Sequence, residues 1–518
     1  MTFEIVFVLL SLLGMVAALV ADKMRPGMIL FSVVVLFLCA GILTPKEMLE
    51  GFSNKGMITV ALLFLVSEGI RQSGTLGQVI KKLLPQGKTT VFKAQLRILP
   101  SVAFISAFLN NTPVVVIFAP IIKHWAKSVN LPATKFLIPL SYVTILGGIC
   151  TLIGTSTNLV VHGMILEAGF EGFSMFELGK VGIFIAIAGI IYIFLFSKRL
   201  LPDARPDTAV PDEEVEEGEK LHRVEAVLGA RFPGINKKLK DFNFQRHYGA
   251  EVKEIKTRNG QRFVSNLEEV VLHEGDTLVV MADDTFIPTW GESSVFVLLT
   301  NGNEPDTTGK KKKRWFALLL LVLMIVGATV GELPITKEMF PGIKLDMFFF
   351  VSITTIIMAW TNLFPARKYT KYISWDILIT IACAFAISKA MVNSGVADSV
   401  AKFIIGLSDD YGPHVLLAMV FIITNLFTEL ITNNAAAALA FPLALSISAQ
   451  LGVSPTPFFV VICMAASASF STPIGYQTNL IVQGIGNYKF TDFVRIGLPL
   501  NIITFLISII LIPLIWNF

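Results

Sequence analysis

Ten long apolar segments limit what this chain of 518 residues can fold into. Each runs for about 17 to 25 residues, enough for a helix to cross about 30 Å of hydrocarbon. Hydrophobic residues make up 54% of the sequence and charged residues 15%, which is more apolar surface than a water-soluble core can bury. The segments start near Thr2, Gly27, Met57, Phe136, Met175, Trp315, Met347, Trp375, Pro457 and Phe493. The sequence therefore predicts an all-α polytopic membrane protein.

Basic loops alternate with acidic or mixed loops along the chain. Lys and Arg cluster at residues 22–25, 81–97, 198–199, 310–314 and 366–371. Because positively charged loops remain in the cytoplasm, these loops and residues 201–314 are predicted to be cytoplasmic, in a multi-pass protein of a bacterial inner membrane. The alternation is consistent only if residues 100–123 enter and leave on one side. They are predicted to form a re-entrant helical hairpin with its tip at 110–112, about 16 Å of helix from Pro100.

A polar stretch inside an apolar segment occurs twice. The sequence "CTLIGTSTNLVVHG" at 150–163 returns as "STPIGYQTNLIVQG" at 471–484, an offset of 321 positions. The hairpin sequence "AFLNNTPVVVIFAP" at 107–120 returns as "ELITNNAAAALAFP" at 429–442. The chain is therefore predicted to contain two copies of one unit, each with five transmembrane helices and a re-entrant hairpin. Because five crossings are an odd number, the second copy is inverted relative to the first.

Inverted repeats are typical of secondary transporters, in which broken helices and hairpin tips meet at the membrane midplane and form the substrate and ion sites. Non-helical backbone at that depth is tolerated only where it is buried in protein or lines a wet cavity. The polar stretches are therefore predicted to bind a small cation through oxygen atoms, and an anion at half-helix N-termini. The alternative is that these Ser, Thr and Asn residues only bond within or between ordinary transmembrane helices.

The two hairpin tips and the two broken helices resemble those of the divalent anion/sodium symporters, within the ion-transporter superfamily. The resemblance covers residues 1–200 and 315–518, the two predicted membrane domains, and it implies two sodium sites and one anion site. The implied sodium ligands are Asn110, Asn111 and Gly154 in the first repeat and Thr432, Asn433 and Gly475 in the second. The implied anion-binding residues are Asn110, Asn111, Thr112, Ser156, Thr157, Asn158, Thr432, Asn433, Asn434, Gln477, Thr478 and Asn479. Dicarboxylate carriers have Ser-Asn-Thr at both tips, whereas this chain has Asn-Asn-Thr and Thr-Asn-Asn.

The predicted function is sodium-coupled symport of a small divalent oxyanion. Sulfate is favoured because compact tips rich in Asn suit a small tetrahedral anion. The alternatives are a symporter of succinate-like dicarboxylates, a sodium/proton antiporter and a non-transporting anion sensor. A potassium channel is disfavoured because its filter needs four equivalent loops. No metal-binding His spacing, Ser-His-Asp set or phosphate-binding loop is present, so neither an enzyme nor a nucleic-acid partner is predicted.

The segment between the two membrane domains is polar. An acidic linker is predicted at 201–222, an α/β domain at 223–290 and a second linker at 291–314. Within the domain, the sequence predicts a short helix and turn at 234–249, a strand at 250–257, and two strands around a tight turn at 269–283. The patterns "KKLKDFNFQRHYGAEVKEI" and "LHEGDTLVVMA" resemble the TrkA C-terminal domain. That resemblance implies a cytoplasmic regulatory module in a homodimer, with a small nucleotide as a ligand. The alternative is a dimerisation insert that binds nothing.

Three charged residues lie in apolar segments, where a charge is costly. Glu429 precedes the second hairpin tip and is either a coupling carboxylate or a structural charge. Glu68 is predicted to pair with Arg71 three residues later, and Lys389 occupies the position that corresponds to Glu68 in the second repeat. The four cysteines are predicted to be inert core residues: Cys39, Cys150, Cys383 and Cys463.

Overall fold

The computed structural model describes residues 3–21, 24–203, 221–229, 231–257, 261–283, 285–290, 295–300, 311–331, 333–339, 342–406 and 412–518. Most of the two predicted linkers, at 204–220 and 301–310, lies outside the described residues. Two helical halves enclose a small α/β domain in the sequence, as predicted.

The helices of the first half are α1 (Phe3–Ala21), α2 (Pro26–Cys39), α3 (Pro45–Glu50), α4 (Lys55–Gln72), α5 (Thr75–Leu83), α6 (Val91–Ser106), α7 (Asn111–Ser128), α8 (Leu137–Gly148), α9 (Ser156–Glu167) and α10 (Gly179–Leu200). The inserted domain contains β1 (His222–Leu228), α11 (Phe244–Tyr248), β2 (Glu251–Lys256), β3 (Arg262–Phe263), β4 (Thr277–Ala282), α12 (Phe286–Trp290) and β5 (Phe296–Thr300). The helices of the second half are α13 (Lys311–Gly331), α14 (Pro334–Met339), α15 (Met347–Trp360), α16 (Tyr369–Tyr372), α17 (Trp375–Asn393), α18 (Val396–Gly406), α19 (Gly412–Leu430), α20 (Asn433–Leu451), α21 (Thr456–Ser467), α22 (Gln477–Gly486) and α23 (Phe490–Ile515).

All ten predicted apolar segments are helical. Among the described residues, seven helical segments are long and apolar enough to cross a membrane: Pro45–Gln72, which includes α4, and the helices α10, α13, α17, α19, α20 and α23. The remaining predicted segments are α1, α2, α15 and two helices that are each broken in the middle, α8 with α9 and α21 with α22. Large apolar side chains such as Leu195 and Leu514 are exposed, as a lipid-facing surface requires. The chain is an integral multi-pass membrane protein, which confirms that prediction.

Apart from the short helix α14, the two halves have the same order of helices. Helix α15 begins and ends 321 positions after α2, and α22 begins 321 positions after α9. Contacts between the halves are matched in the same way. Helix α2 packs on α17 while α4 packs on α15, and α7 packs on α22 while α20 packs on α9. The two repeats are therefore related by an approximate two-fold axis.

Charged residues at the helix ends follow this axis. Lys55 at the start of α4 forms an ion pair with Asp346, the residue before α15. At the corresponding positions, Arg25 attracts the carboxylate of Asp376, which also accepts a hydrogen bond from Gly27 N at 3.3 Å. The first pair joins the start of α4 to the start of α15, and the second joins the start of α17 to the start of α2.

The hairpin arms are longer than predicted. Helix α6 begins at Val91, passes through Pro100 and has 16 residues, so it is about 24 Å long, not about 16 Å. Thr90 caps its start by accepting a hydrogen bond from Lys93 N at 3.4 Å. The hairpin of the second repeat has two arms of 19 residues each.

The inserted domain is a five-stranded antiparallel sheet in the order β3-β2-β4-β1-β5. The predicted helix and turn appear as α11, and the strand predicted at 250–257 appears as β2. Two predictions differ. Of the two strands predicted at 269–283, only β4 forms. In place of the other strand, Val271 makes a single β-bridge to Lys238. Strand β5 lies in the stretch predicted as the second linker, so the sheet extends to Thr300, and α13 begins at Lys311 rather than at 315.

The isolated charges and the cysteines have distinct surroundings. Glu68 accepts two hydrogen bonds of 2.7 Å from Arg71, as predicted, and does not pair with Lys389, which is exposed.

All four cysteines are free, but Cys39 is exposed and Cys150 is half-buried, so the prediction that all four are core residues is wrong for these two. Cys39 is the last residue of α2, and Cys150 lies just after the end of α8, in the break before α9.

Candidate functional site

The breaks in the two interrupted helices are built by the same hydrogen bonds. Between α8 and α9, Thr151 Oγ1 donates to Ala107 O at the first hairpin tip and accepts from Gly154 N at 3.2 Å. Between α21 and α22, Thr472 Oγ1 donates to Glu429 O at 3.2 Å and accepts from Gly475 N at 3.3 Å. Each break is therefore fastened to the tip of its own hairpin.

Two predicted anion ligands stabilise these breaks. Asn158 Nδ2 donates to Thr151 O at 2.9 Å, and Asn479 Nδ2 donates to Thr472 O at 3.1 Å. Both side chains are fully buried. They satisfy carbonyl groups that the interrupted helices leave without their usual partners. The amide oxygen of Asn479 accepts from Ser141 Oγ at 2.7 Å, whereas that of Asn158 has no hydrogen-bond partner among the described residues.

Asn111 connects three segments of the first repeat. With its amide oriented to satisfy both ends, the nitrogen lies 2.8 Å from Ser106 Oγ, 3.1 Å from Thr144 O and 3.2 Å from Gly154 O. The same position in the second repeat is similar, because Thr428 Oγ1 lies 3.1 Å from Asn433 Oδ1. In the first repeat, oxygen atoms of the hairpin arm, α8 and the break therefore lie close together around the Asn111 amide nitrogen.

The tip of each hairpin also contacts the broken helix of the other repeat. Thr112 Oγ1 donates to Gln477 Oε1 at 3.2 Å. The corresponding pair is Ser156 Oγ and Asn434 Oδ1, at 3.3 Å, and Thr157 Oγ1 lies 3.2 Å from the same oxygen. These predicted site residues are thus brought together across the two-fold axis.

A tyrosine that the sequence analysis did not select lies at the centre of the site. The hydroxyl of Tyr476 is hydrogen-bonded to Asn111 and to Asn433, the two tip asparagines. It also lies 3.1 Å from Thr155 Oγ1, 321 positions earlier in the chain. Residues related by a two-fold axis meet only beside that axis, so this hydroxyl marks the axis between the repeats.

Four helices begin at this centre. Asn110, Thr155, Thr432 and Tyr476 are the residues immediately before α7, α9, α20 and α22. The free N–H groups and positive dipole ends of these helices favour an anion. Helices α6, α8, α19 and α21 end beside the same tips and breaks, and their carbonyl ends favour a cation.

Some predicted residues at the tips and breaks are not buried. Thr432 and Gln477 are exposed, and Asn110 is half-buried in a hollow lined by Phe108, Ile153 and apolar side chains of α4 and α13. Thr478 is buried but contacts Ser141 Oγ at 2.8 Å.

The sequence analysis also missed several polar groups beside the tip asparagines. Ser106 and Thr428 could have been found, because they are hydroxyl residues at matching positions of the two repeats. Thr144 contributes a backbone carbonyl, for which side-chain identity gives no signal.

The oxygen atoms around the two tip asparagines suit a sodium ion. They are neutral carbonyl, hydroxyl and amide oxygens at broken helix ends, the ligands that transporters use for that ion. In the described parts of the chain, no group of three or more His, Cys, Asp or Glu residues is placed to hold a metal ion. The donor set around Asn111 and Asn433 therefore fits a weakly bound, singly charged cation.

Glu429 faces the second break. Its Oε1 accepts from Ser471 N at 2.9 Å and from Asn501 Nδ2 at 2.7 Å. Ser469 Oγ lies 3.4 Å from its Oε2. No Lys, Arg or His of the described chain forms an ion pair with it. The carboxylate connects α19 to the break and to α23.

Comparison with known proteins agrees with this architecture. The chain matches a model of the family described as "Citrate transporter" over residues 16–450 and 343–517. It is 30% identical to the uncharacterized transporter sll0640 of Synechocystis over 94% of this chain and 93% of that protein. It is 28% identical to a putative sulfur deprivation response regulator of Chlamydomonas reinhardtii, over 93% of this chain and 96% of that protein. A probable sodium/sulfate cotransporter 3 of the same alga is 22% identical over 93% of this chain and 85% of its own length. This chain belongs to the citrate transporter family, within the ion-transporter superfamily, and is a membrane transporter of that type.

Proposed function

We propose that this protein is a sodium-coupled symporter of a small divalent oxyanion, with sulfate as the anion. The observation that carries the proposal is the meeting of both hairpin tips at Tyr476, where four helices begin. In the described part of the chain, neither Lys nor Arg contributes a hydrogen bond to the group formed by Asn111, Tyr476 and Asn433. A divalent anion there needs other positive charge.

Sodium supplies that charge in this proposal. The tip asparagines are close to the implied cation ligands on one side and to the helix N-termini on the other. An anion between the tips is then stabilised by the cations, by amide donors and by helix dipoles. Because the anion binds well only after sodium has bound, the two move together.

Two observations support sulfate over a dicarboxylate. One relative is named as a probable sodium/sulfate cotransporter. The tips differ from the Ser-Asn-Thr pattern of dicarboxylate carriers, since Asn-Asn-Thr and Thr-Asn-Asn place extra amides there. A carboxylate substrate remains the second choice, because the family model carries the description of a citrate transporter.

Uptake of radiolabelled sulfate into proteoliposomes tests the proposal. Accumulation is expected with an inward sodium gradient and not with potassium or choline in its place, and unlabelled sulfate should compete better than succinate or citrate. Sodium-independent uptake would refute the coupling, and stronger competition by a carboxylate would refute the choice of anion. Sodium-dependent binding without uptake would instead support an anion sensor, the alternative favoured by the relative named as a sulfur deprivation response regulator.

A sodium/proton antiporter is the second candidate function, and Glu429 is the observation that favours it. We assign Glu429 a structural role, since both contacts of its Oε1 hold the second break in place. Glu429→Gln is expected to retain sodium-dependent uptake within about fivefold, because an amide oxygen still accepts these bonds, whereas Glu429→Ala should lose at least about tenfold. A pH-sensitive dye inside the liposomes provides the discriminating measurement. Sodium-driven proton flux without any anion, present in the wild type and absent in Glu429→Gln, would establish the antiporter instead.

The inserted domain is proposed to regulate transport through direct contact with the membrane helices. Lys123 of α7 forms a 2.9 Å ion pair with Glu225 of β1, which also lies 3.5 Å from Lys256. Burial alone raises the pKa of Glu225, but the two lysines outweigh it and hold that pKa at about 2. Arg231 donates to Ile373 O at 3.1 Å. Lys123 lies at the predicted cytoplasmic end of the first hairpin, and Ile373 follows the basic loop at 366–371, which supports a cytoplasmic domain.

The domain also lies against α22, the helix that begins after Tyr476. The turn at Gly275, whose φ of +85° suits glycine, lies against Leu480, and Thr277 lies against Gly484. A side-chain carbon at Gly484 would overlap Thr277 Oγ1, and the three heavy atoms nearest to that carbon all belong to the inserted domain. Thr277 Oγ1 is buried and has no hydrogen-bond partner among the described residues.

Gly484→Ala is therefore expected to displace the domain and raise the initial rate of sodium-dependent uptake about fivefold, because a contact that stabilises one transport state slows the cycle. The double variant Gly484→Ala/Thr277→Ala removes the overlapping oxygen and should return the rate to within about twofold of the wild type. Thr277→Ala alone is the matched control. Equal rates in Gly484→Ala and the wild type would refute regulation through this contact, and loss of uptake in all variants would make the domain part of the transport site.

The resemblance of the domain to TrkA C-terminal domains extends this proposal. The domain is proposed to pair with its counterpart in a homodimer and to bind a small nucleotide. The sheet has its own core, in which Phe232, Phe242, Phe244 and Tyr248 pack together, so the ligand site and the dimer surface lie outside that cluster.

A further inference from the structure

The two broken helices differ at the position that meets the axis. The first reads Gly-Thr-Ser-Thr-Asn from Gly154, and the second reads Gly-Tyr-Gln-Thr-Asn from Gly475. Thr155 and Tyr476 are thus corresponding residues, yet their hydroxyls are 3.1 Å apart. Tyr476 therefore breaks the symmetry of the site at the point shared by the two repeats, in addition to the differences at the tips and at Ser156 and Gln477.

The Tyr476 hydroxyl connects the two tips. A phenol has one donor and two acceptor positions, so it can serve three partners at once. Here those partners are Asn111, Asn433 and Thr155, one from each hairpin tip and one from the opposite break. The side chain is 8% exposed, so these bonds are not shared with bulk solvent. The hydroxyl therefore fixes the separation of the two tip asparagines.

The ring of Tyr476 occupies space that a second threonine would leave open. Two threonines would face each other across the axis in a fully symmetric site. Tyr476 instead places a larger, aromatic side chain beside the tips, and Gln477 replaces the smaller Ser156 next to it. Less room between the tips favours a compact anion over an elongated one.

We propose that Tyr476 is the positioning and specificity-determining residue of this transporter. Its hydroxyl holds both tip asparagines in register, and its ring restricts the anion to about the size of sulfate. This inference rests on the proposed symport function. The alignment of the two tips by Tyr476 can also be tested by sodium binding alone, without any measurement of transport.

Three variants distinguish the role of the Tyr476 hydroxyl from the role of its ring. Tyr476→Phe removes the hydroxyl, Tyr476→Thr restores the residue of the first repeat, and Tyr192→Phe is the control. Tyr192 is also buried and donates one hydrogen bond, to Ile496 O at 3.1 Å, in the contact between α10 and α23.

Tyr476→Phe is expected to raise the KM for sulfate about tenfold while the maximal rate stays within about threefold, because a bond that aligns ligands acts on binding. Tyr476→Thr should make succinate at least about tenfold more effective as a competitor relative to sulfate. Tyr192→Phe should match the wild type. An unchanged KM in Tyr476→Phe, an unchanged anion preference in Tyr476→Thr, or an equal effect of Tyr192→Phe would overturn the inference.

A thermal-shift titration with sodium chloride separates this inference from the proposed function. Sodium should raise the melting temperature of the wild type, and Tyr476→Phe should need about tenfold more sodium for the same rise. If the wild type takes up no anion and this difference is still found, symport is refuted and Tyr476 remains the residue that aligns the tips. If the two proteins respond equally to sodium, the positioning role is refuted whatever the uptake shows.

Discussion

Alanine at Asn111 or at Asn433 is expected to lower sodium-dependent uptake about 100-fold and to weaken sodium and anion together. Asn111 lies within 3.2 Å of oxygen atoms from the hairpin arm, α8 and the break, and its oxygen accepts from Tyr476. Asn433 lies 3.1 Å from Thr428 Oγ1 and also bonds to Tyr476. Removing either amide frees one tip from the shared centre. Initial rates measured against sodium and sulfate concentration give both affinities.

Asn393→Ala is the matched control for this prediction. Its Nδ2 donates to Ile42 O and Glu47 at 3.1 Å, at the end of α17 and away from both tips. It should keep uptake within about twofold of the wild type, as expected for a partly exposed site. If either tip variant changed the anion affinity and left the sodium dependence untouched, the two ligands would not share these residues, and the assignment of Asn111 and Asn433 to both sites would be wrong.

The repeat and the meeting of tips with breaks could be predicted from the sequence. Polar residues are rare in membrane-length apolar segments, so two sets at matching positions carry a strong signal. The offset of 321 positions found in the sequence is the offset between α9 and α22. Pro473 also marks the second break, since proline cannot donate the hydrogen bond that a continuous helix needs.

The central position of Tyr476 could not be predicted. The repeat pattern selects positions where the two copies agree, and this residue matters where they differ. Its partners come from both halves of the chain, at Asn111, Thr155 and Asn433. Such contacts depend on where the two-fold axis passes through the fold, and no local sequence pattern indicates its position.

The length of the hairpin arms was also wrong in the sequence analysis, for a different reason. The predicted arm was counted from Pro100, as if the helix began at that residue. In the structure it is inside α6, which starts nine residues earlier at Val91. Proline removes one hydrogen bond from a helix and here does not end it.

The contact between the inserted domain and α22 had no sequence signal either. Gly275 and Gly484 are small residues that allow a loop and a helix to approach each other. Each glycine on its own fits many explanations, and only the fold brings them together. Strand β5 was missed because it follows a stretch rich in turn-forming residues, which the sequence analysis treated as the start of a linker.

Gly154→Ala and Gly475→Ala are expected to abolish sodium-dependent uptake and to lower the melting temperature. A side-chain carbon at Gly154 would lie 2.5 Å from Gly148 O and 3.0 Å from Ala107 O, and one at Gly475 would overlap Ser469 Oγ and Thr428 O. Backbone oxygens of a neighbouring helix end cannot move aside as a flexible side chain can, so each variant pushes its break away from its hairpin tip. Overpacking of this kind costs about 1 to 3 kcal/mol of folding free energy.

Gly14→Ala provides the comparison, because a side-chain carbon at Gly14 in α1 meets no heavy atom within 4 Å. Alanine there removes a glycine from a helix, which stabilises it by about 0.5 to 1 kcal/mol, and uptake should equal that of the wild type. The three variants separate a general effect of glycine replacement from an effect at the breaks. Uptake and sodium affinity that stay normal in Gly154→Ala would mean that the first tip and its break do not touch during transport. The proposed sodium site between Asn111 and Gly154 would then be wrong.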